Sequence, residues 1–259
     1  MKRIDQARSG YFQKDVEKTK KAHTSDVIKA AIMHKEGHMT SFNLPEIILG
    51  GQDGLVNVLG VILGVAAATS EIRIVIVAGL AATFAESISM AAVAYTSRLA
   101  EADYYQSEYE REKWEIEHIP QGEKEEIKAL YHSYGFTGNI LHSIVERITN
   151  DKKLWLQVMM EQELKLAPVN RKEAFPAAII VGLSALAGSF IPLISYFFLP
   201  ISPATIVSLI ISSITLYGVG FYKAKKTLGR KFMRSGLEMM IIGMLSALVG
   251  YIIGNLFKI

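Results

Sequence analysis

Apolar residues in this chain are concentrated in five long blocks, at positions 47–69, 72–98, 174–199, 204–222 and 235–257. Charged residues are concentrated in the stretches between them, at positions 1–46, 100–173 and 222–234. A soluble protein interleaves the two classes at the period of a helix or a strand, whereas a bilayer crossing needs about 20 mainly apolar residues in succession. The pattern therefore predicts an all-α integral membrane protein with five transmembrane helices.

The longest charged stretch separates the second predicted span from the third and contains 15 acidic and 10 basic residues. Helix-boundary signals divide it into three or four amphipathic helices, at roughly 101–118, 123–134, 139–149 and 151–165. The predicted domains are an N-terminal segment with a short amphipathic helix at 1–46, transmembrane helices one and two at 47–99, a helical insert at 100–173, and transmembrane helices three to five at 174–259.

Lysine and arginine accumulate in cytoplasmic loops and so indicate the orientation of the spans. The segment 1–46 contains nine of them and the loop 223–234 contains six without an acidic residue, whereas the loops 69–71 and 200–203 contain none. This distribution predicts a cytoplasmic N-terminus and insert. The net charge of +3 is too small to indicate a nucleic-acid partner, and the absence of cysteine excludes disulfides and thiolate metal sites.

Polar and ionisable side chains interrupt the first two predicted spans. Span one contains Asp53 and, one turn later, Asn57; span two contains Glu86 and, one turn later, Met90. A carboxylate at the centre of a bilayer costs at least about 2.5 kcal/mol, so it normally faces a polar cavity or a partner. A thioether beside carboxylates is a weak, soft ligand for a transition metal. The pattern favours a cation path, with helix capping by Asp53 and an interhelical hydrogen bond from Glu86 as the structural alternatives.

Four glutamates of the insert have the spacing of a shared metal site. Glu112 and Glu115 lie on one face of a predicted helix, and Glu123 and Glu126 lie on one face of the next. If these helices are antiparallel, four carboxylates converge, and hard oxygen ligands suit iron(II) and manganese. A third predicted helix offers Met159, Met160 and Glu163. For any one of the glutamates, a simply solvated acidic face is an equally weighted alternative.

These motifs follow one another in a recognisable order. They are Gln52-Asp53-Gly54-Leu55-Val56, Ala85-Glu86-Ser87-Ile88-Ser89-Met90, Glu101-Ala102-Asp103-Tyr104-Tyr105, Glu110-Arg111-Glu112, Ile119-Pro120, Tyr134-Gly135, Trp155, Met159-Met160-x-x-Glu163-Leu164 and Phe190-Ile191-Pro192-Leu193. In this order and at these spacings, the chain resembles the vacuolar iron transporter family over roughly residues 34–257.

The resemblance implies a homodimer with five spans per subunit, in which the first span of each subunit lines a path at the dimer interface. It implies export of cytosolic ferrous iron in exchange for protons, without enzymatic activity or a prosthetic group. The partners are then divalent metal ions, protons and membrane lipid. The membrane is a plasma membrane in a prokaryote or a vacuolar membrane in a eukaryote. Asp53 and Met90 match residues of the path.

The resemblance also implies that the insert is a cytoplasmic metal-binding domain. Its implied ligands are Glu112, Glu115, Glu123, Glu126, Met159, Met160 and Glu163. One position in the membrane departs from the family, because plant-like members have a glutamate four residues before Glu86, where this chain has Ala82. We expect Glu86 to supply the missing carboxylate.

Three alternatives remain open at the level of the sequence. The first is a membrane-tethered di-iron ferroxidase or iron-storage protein, against which the Glu-x-x-Glu pairs count, since ferritin-like sites use Glu-x-x-His. The second is a metal-sensing or scaffold membrane protein, against which Asp53 and Glu86 count. The third keeps the architecture and transports manganese, cobalt or zinc, because oxygen ligands narrow the choice of metal without deciding it.

Overall fold

A computed structural model describes residues 3–33, 44–227 and 231–258. Positions 34–43, part of the predicted N-terminal segment, lie outside the described residues. The described α-helices are α1 (Arg3–Gln13), α2 (Val16–Lys21), α3 (Ser25–Met33), α4 (Leu44–Ala68), α5 (Ile72–His118), α6 (Pro120–Ser133), α7 (Gly138–Thr149), α8 (Lys152–Val158), α9 (Ala174–Leu193), α10 (Ile201–Thr227) and α11 (Phe232–Leu256). A π-helix at Met159–Glu163 and 3₁₀ turns at Arg171–Glu173 and Ile194–Phe197 complete them.

Five of the described helical stretches are long and apolar enough to cross a bilayer, which confirms the predicted number of spans. They are Leu44–Ala68, Ile72–His118, Arg171–Phe197, Ile201–Lys225 and Phe232–Leu256. At 1.5 Å per residue, the 25 residues of α4 rise about 38 Å, more than the roughly 30 Å of a hydrocarbon core. The chain is therefore an all-helical integral membrane protein over the part that the structure describes.

The second span and the first helix of the insert were predicted as separate helices, and this prediction was wrong. They form one helix, α5, with 47 residues. Neither glycine nor proline lies between Arg98 and Glu101, and these two side chains form an ion pair at 3.3 Å on adjacent turns of the same helix. Because nothing there breaks the hydrogen-bond ladder, a change from apolar to charged residues leaves the helix intact.

Packing divides the chain into two compact units, which comprise residues 1–90 with 180–259 and residues 91–179. In the first unit, α4 packs closely against α9 and α11 through glycines. A Cβ atom on Gly54 would lie 2.3 Å from the carbonyl oxygen of Ala185, and one on Gly250 would lie 2.2 Å from that of Gly60. Only a residue without a side chain fits at these contacts, which is how small residues let membrane helices approach one another closely.

Pro192 lies inside α9, whose α-helical part ends one residue later in a 3₁₀ turn. The carbonyl oxygen of Pro192 accepts a hydrogen bond of 2.7 Å from the buried hydroxyl of Ser208 on α10. A side chain of a neighbouring helix thus satisfies a backbone carbonyl at the point where the α-helical pattern ends.

The second unit has its own apolar core, formed by α5, α6, α7, α8 and the π-helix. Its buried members are Ile116, Ile127, Ile148, Trp155, Leu156, Val158, Met159 and Met160. The breaks predicted between these helices are found here, although α6 already begins at Pro120 and α8 gives way to the π-helix at Met159. Gly135 follows α6 with a φ of +92°, and Asp151 caps α8 by accepting from the backbone N–H groups of Lys153 and Leu154. Capping and turn residues thus determine where each amphipathic helix ends.

The glycine contacts generate a prediction about stability. The substitution Gly250→Ala should lower the apparent melting temperature of the protein in detergent, because overpacking of a close helix contact costs about 1–3 kcal/mol. Gly218 on α10 is the matched control, since a Cβ atom there meets nothing within 4 Å. Gly218→Ala should leave the melting temperature unchanged or raise it. Equal melting temperatures for the two variants would show that the α4–α11 contact is not tight.

Candidate functional site

The end of α5 and the start of α6 bring three carboxylates together. A single residue, Ile119, links the two helices, and Pro120 occupies the first position of α6. Glu112 and Glu115 lie in the last turns of α5, and Glu123 lies in the first turn of α6. One carboxylate oxygen from each of these three glutamates lies within 4.8 Å of the other two. The paired spacing predicted four converging carboxylates, and this group of three does not include the fourth, Glu126.

Two of the three carboxyl groups are buried, since Glu112 is 1% exposed and Glu123 is 2% exposed. The Oε2 atoms of Glu112, Glu123 and Glu163 are buried and have no hydrogen-bond partner among the described residues. Buried polar atoms are usually satisfied, so three orphan carboxylate oxygens in one small region require an explanation. Oxygen atoms of this kind are the ligands that divalent iron and manganese prefer.

Burial and mutual repulsion change the protonation of these glutamates. Burial, together with the charges of Glu112, Glu126 and Glu115, raises the pKa of Glu123 to about 8. The pKa of Glu112 is also raised, chiefly by burial, although Arg111 and a hydrogen bond from Glu123 act in the opposite direction. At neutral pH the carboxyl group of Glu123 is therefore protonated and donates a hydrogen bond to the carboxylate of Glu112.

A basic residue that the sequence analysis did not single out lies beside this cluster. One guanidinium nitrogen of Arg111 lies 2.6 Å from Glu112 and 2.8 Å from Glu108, and the other contacts Glu115. The Glu110-Arg111-Glu112 motif contained the signal, because Arg111 precedes Glu115 by one helical turn. Arg111 offsets part of the negative charge that the carboxylates accumulate.

Glu163 and Glu126 belong to the same electrostatic environment. The pKa of Glu163 is raised, first by burial and then by the charges of Glu126 and Glu112. Glu126 itself is exposed. Glu163 ends the π-helix, in which the N–H of Leu164 bonds to the carbonyl of Met159 at 3.0 Å. π-Helices occur frequently at functional sites, because the wider turn changes where the side chains point.

Both methionines of the predicted ligand set are buried in the core of the second unit. Met159 is 0% exposed and Met160 is 2% exposed, and they pack with Ile116 and Ile127. Those two isoleucines directly follow Glu115 and Glu126 in sequence, so the apolar core and the carboxylate cluster are formed by the same turns of α5 and α6. A role of the two thioethers as metal ligands remains a prediction.

A second group of polar side chains lies within the membrane-spanning helices of the first unit. The carboxyl group of Glu86 on α5 interacts with the side chains of Asp53 and Asn57 on α4. Asp53 and Glu86 are half-buried within the single chain, and Asn57 is exposed. Met90 is half-buried one turn beyond Glu86. Three of the four predicted path residues are thus brought together.

The surroundings of Ala82 differ from those of Glu86, which lies one turn later on α5. Ala82 packs against an apolar cluster that contains Val58, Ile62 and Val75. A glutamate in such surroundings would place a charge among buried apolar side chains, which is costly without a partner. At position 86, by contrast, the carboxyl group meets Asp53 and Asn57.

The fold and the two polar groups define a polytopic membrane protein with a carboxylate-rich helical unit. Residues 44–255 match the sequence profile of the VIT family. The chain is 31% identical to the vacuolar iron transporter of Plasmodium falciparum (isolate 3D7), over 99% of this chain and 97% of that protein. It is 33% identical to the vacuolar iron transporter of Centaurea cyanus and 32% identical to vacuolar iron transporter 1 of Oryza sativa subsp. japonica. Both alignments cover 84% of this chain, with 89% and 87% of those proteins respectively. The chain belongs to the VIT family, as the motifs predicted, and its relatives are named as transporters rather than enzymes.

The protonation of Glu123 generates a prediction about pH. A pKa of about 8 means that Glu123 carries a proton below that pH and that a bound metal must displace it. The affinity for Mn²⁺ should therefore fall about tenfold per pH unit as the pH is lowered from about 8 to about 6. Isothermal titration calorimetry in buffers of different ionisation enthalpy measures both the affinity and the released protons. An affinity for Mn²⁺ that stays constant over this pH interval would contradict the displacement of a proton from Glu123 by the metal.

Proposed function

We propose that this protein exports ferrous iron from the cytosol across a membrane in exchange for protons, and that it does so as a homodimer. The observation that carries the proposal is the contact of Asp53 and Asn57 on one apolar helix with Glu86 on another. Two adjacent carboxylates at membrane depth are expensive unless a cation or protons neutralise them. A path for a divalent cation needs such a pair.

The carboxylate cluster of the second unit supports a role for the insert in binding divalent metal ions before they enter the transport path. Oxygen atoms of Glu112, Glu115 and Glu123 lie close enough together to share one cation, and buried oxygens of Glu112, Glu123 and Glu163 are unpartnered among the described residues. A divalent ion there would offset the burial and the mutual repulsion that raise the pKa values of Glu112, Glu123 and Glu163. In the proposal, Glu126 completes the acidic set, and Met159 and Met160 bias it toward transition metals.

Proton exchange follows from the same chemistry. A pair of neighbouring carboxylates binds either one divalent cation or up to two protons, so protons from an acidic compartment can displace the metal. In the membrane this exchange is assigned to Asp53 and Glu86, with Asn57 as a neutral ligand beside them and Met90 one turn away as a soft ligand. Alternating exposure to the two sides of the membrane would separate metal uptake from release.

A subunit interface along α4 is supported by the surface beyond Asn57. The side chain of Asn57 is exposed, and it lies at one end of a groove between α4 and α11 that is lined by Gly60, Gly64 and Gly250, among others, and has a volume of about 550 Å³. A second copy of α4 placed against this face would cover the polar residue, which lipid would not solvate. The proposed orientation keeps the N-terminus and the insert in the cytoplasm, as the distribution of lysine and arginine predicts.

Iron is the proposed cargo because the relatives are named as iron transporters. Manganese, cobalt and zinc transport is the second candidate, since oxygen-rich sites bind several divalent metals. The ferroxidase alternative receives no support from the cluster, whose three converging ligands are all glutamates. His118, which follows them on α5, instead uses Nδ1 for the carbonyl of Trp114 and stacks on its ring.

A transport assay tests the proposal. Proteoliposomes that contain the purified protein and an acidic lumen should accumulate Fe²⁺ kept reduced by ascorbate, and uptake should alkalinise the lumen. The initial rate should collapse when the pH gradient is dissipated. Parallel measurements with Mn²⁺, Co²⁺ and Zn²⁺ determine the selectivity. Uptake that is independent of the pH gradient would refute proton exchange, and no uptake of any of these metals would refute transport.

The same assay tests the role of Glu86. Glu86→Gln removes the charge with little change of shape and should reduce the initial rate of Fe²⁺ uptake at least about tenfold. The matched control is Glu238→Gln, because Glu238 lies near the start of α11 and forms an exposed pair with Arg234 at 2.9 Å. Its rate should remain within about twofold of the unaltered protein. A normal rate for Glu86→Gln would remove this residue from the mechanism.

A separate measurement tests the cluster in the insert. Glu123→Gln should weaken Mn²⁺ binding at least about tenfold, because it removes one of the converging oxygen ligands. The metal-free protein should keep its melting temperature near neutral pH, since glutamine resembles the protonated carboxyl group that it replaces. Glu125→Gln is the control, because Glu125 is exposed and paired with Lys128 at 2.9 Å. If both variants bind Mn²⁺ equally well, Glu123 is not a ligand.

A further inference from the structure

The second unit contains a cavity whose lining shares only Met160 with the proposed metal-binding residues of the insert. It has a volume of about 600 Å³ and lies between α5 and the helices that follow Asp151. Small-molecule sites in proteins usually measure about 300–1,000 Å³ and combine an apolar floor with a few polar groups. This cavity has the size and the mixed lining of such a site.

The floor of the cavity is apolar and rigid. Ile116, Leu156 and Met160 line it, and each of them is at least 92% buried in the core of the second unit. Tyr105 and Tyr109 form one wall, with ring centroids 6.3 Å apart and an angle of 28° between the ring planes. Tyr109 is 36% exposed, so part of its ring is accessible. Together these groups provide a flat, apolar surface that suits a planar ring.

The rim of the cavity is basic. Lys113 on α5 and Lys152 and Lys153 on α8 line it, together with the acidic residues Glu117 and Glu161, which leaves an excess of one positive charge. Glu161 accepts a hydrogen bond of 3.0 Å from Gln157. Within the described part of the chain, none of the three lysines forms an ion pair. The three lysines outnumber the two glutamates around this opening and form no ion pair with them among the described residues, so they are suited to an anion with more than one negative charge.

We propose that this cavity binds a nucleoside phosphate, with the base against Tyr109 and the apolar floor and the phosphates at Lys113, Lys152 and Lys153. This proposal depends both on the lysines of the rim and on the tyrosine wall with the apolar floor. A metal ion alone is repelled by the lysines, and an inorganic anion leaves the tyrosines and the floor uncovered. A molecule that joins a planar ring to a chain of phosphates satisfies both.

Calorimetric titration of ADP into the full-length protein in detergent tests the proposal. EDTA is present, so that ADP cannot bind through a metal held by the carboxylate cluster. We expect saturable binding of ADP, with affinities for adenosine and for inorganic pyrophosphate each at least about tenfold weaker. Absence of saturable ADP binding overturns the proposal. Equal affinities for pyrophosphate and ADP overturn it as well, because the ring then contributes nothing.

Substitutions in the rim and the wall of the cavity test whether ADP binds there. The double substitution Lys152→Ala and Lys153→Ala should weaken ADP binding at least about tenfold, and Tyr109→Ala should weaken ADP without weakening pyrophosphate. Lys128→Ala is the matched control, since Lys128 is an exposed lysine of α6 that does not line the cavity. Its affinity for ADP should remain within about twofold. Melting temperatures and Mn²⁺ titrations show that each variant is folded. Unchanged ADP affinity in folded variants of the rim and the wall refutes this site.

Discussion

Buried carboxylates lose the hydration that stabilises their charge, and they repel one another when they converge. In the second unit, a one-residue link between α5 and α6 forces Glu112 and Glu123 into this situation. A proton on Glu123 and the guanidinium of Arg111 offset part of the cost, but buried oxygens remain unpartnered among the described residues. A divalent cation is the group that would satisfy them all. The chemistry proposed for this unit depends on that imbalance.

Carboxylates in the first unit also lose their hydration, because lipid surrounds this unit where a protein core surrounds the glutamates of the second unit. Asp53, Asn57 and Glu86 would be costly if they faced hydrocarbon individually, and their contact with one another lowers that cost. Close packing around α4 is a second constraint on this unit, because Gly54, the neighbour of Asp53, lies against the backbone of α9 without room for a side chain.

Two helices of the second unit serve more than one surface. The turns of α5 that present Glu112 and Glu115 to the cluster also place Lys113 and Ile116 at the proposed nucleotide cavity. The π-helix likewise carries Glu163 of the acidic set and Met160 of the cavity floor. Since an α-helix exposes different residues on each of its faces, a ligand at one surface acts on turns that also form the other. The carboxylate cluster and the cavity are therefore built from shared turns of α5 and the π-helix.

The sequence by itself determined the number of spans, the helical insert, the paired glutamates and the polar residues in spans one and two, because hydrophobic period, helix spacing and turn residues are local properties. It did not determine the continuity of α5, since a change of composition resembles a domain boundary while the backbone continues unbroken. It also did not reveal the place of Arg111 in the cluster, the burial of Met159 and Met160, or the cavity beside them. Those features depend on contacts between residues that are distant in sequence or on different helix faces, and only the tertiary packing decides them.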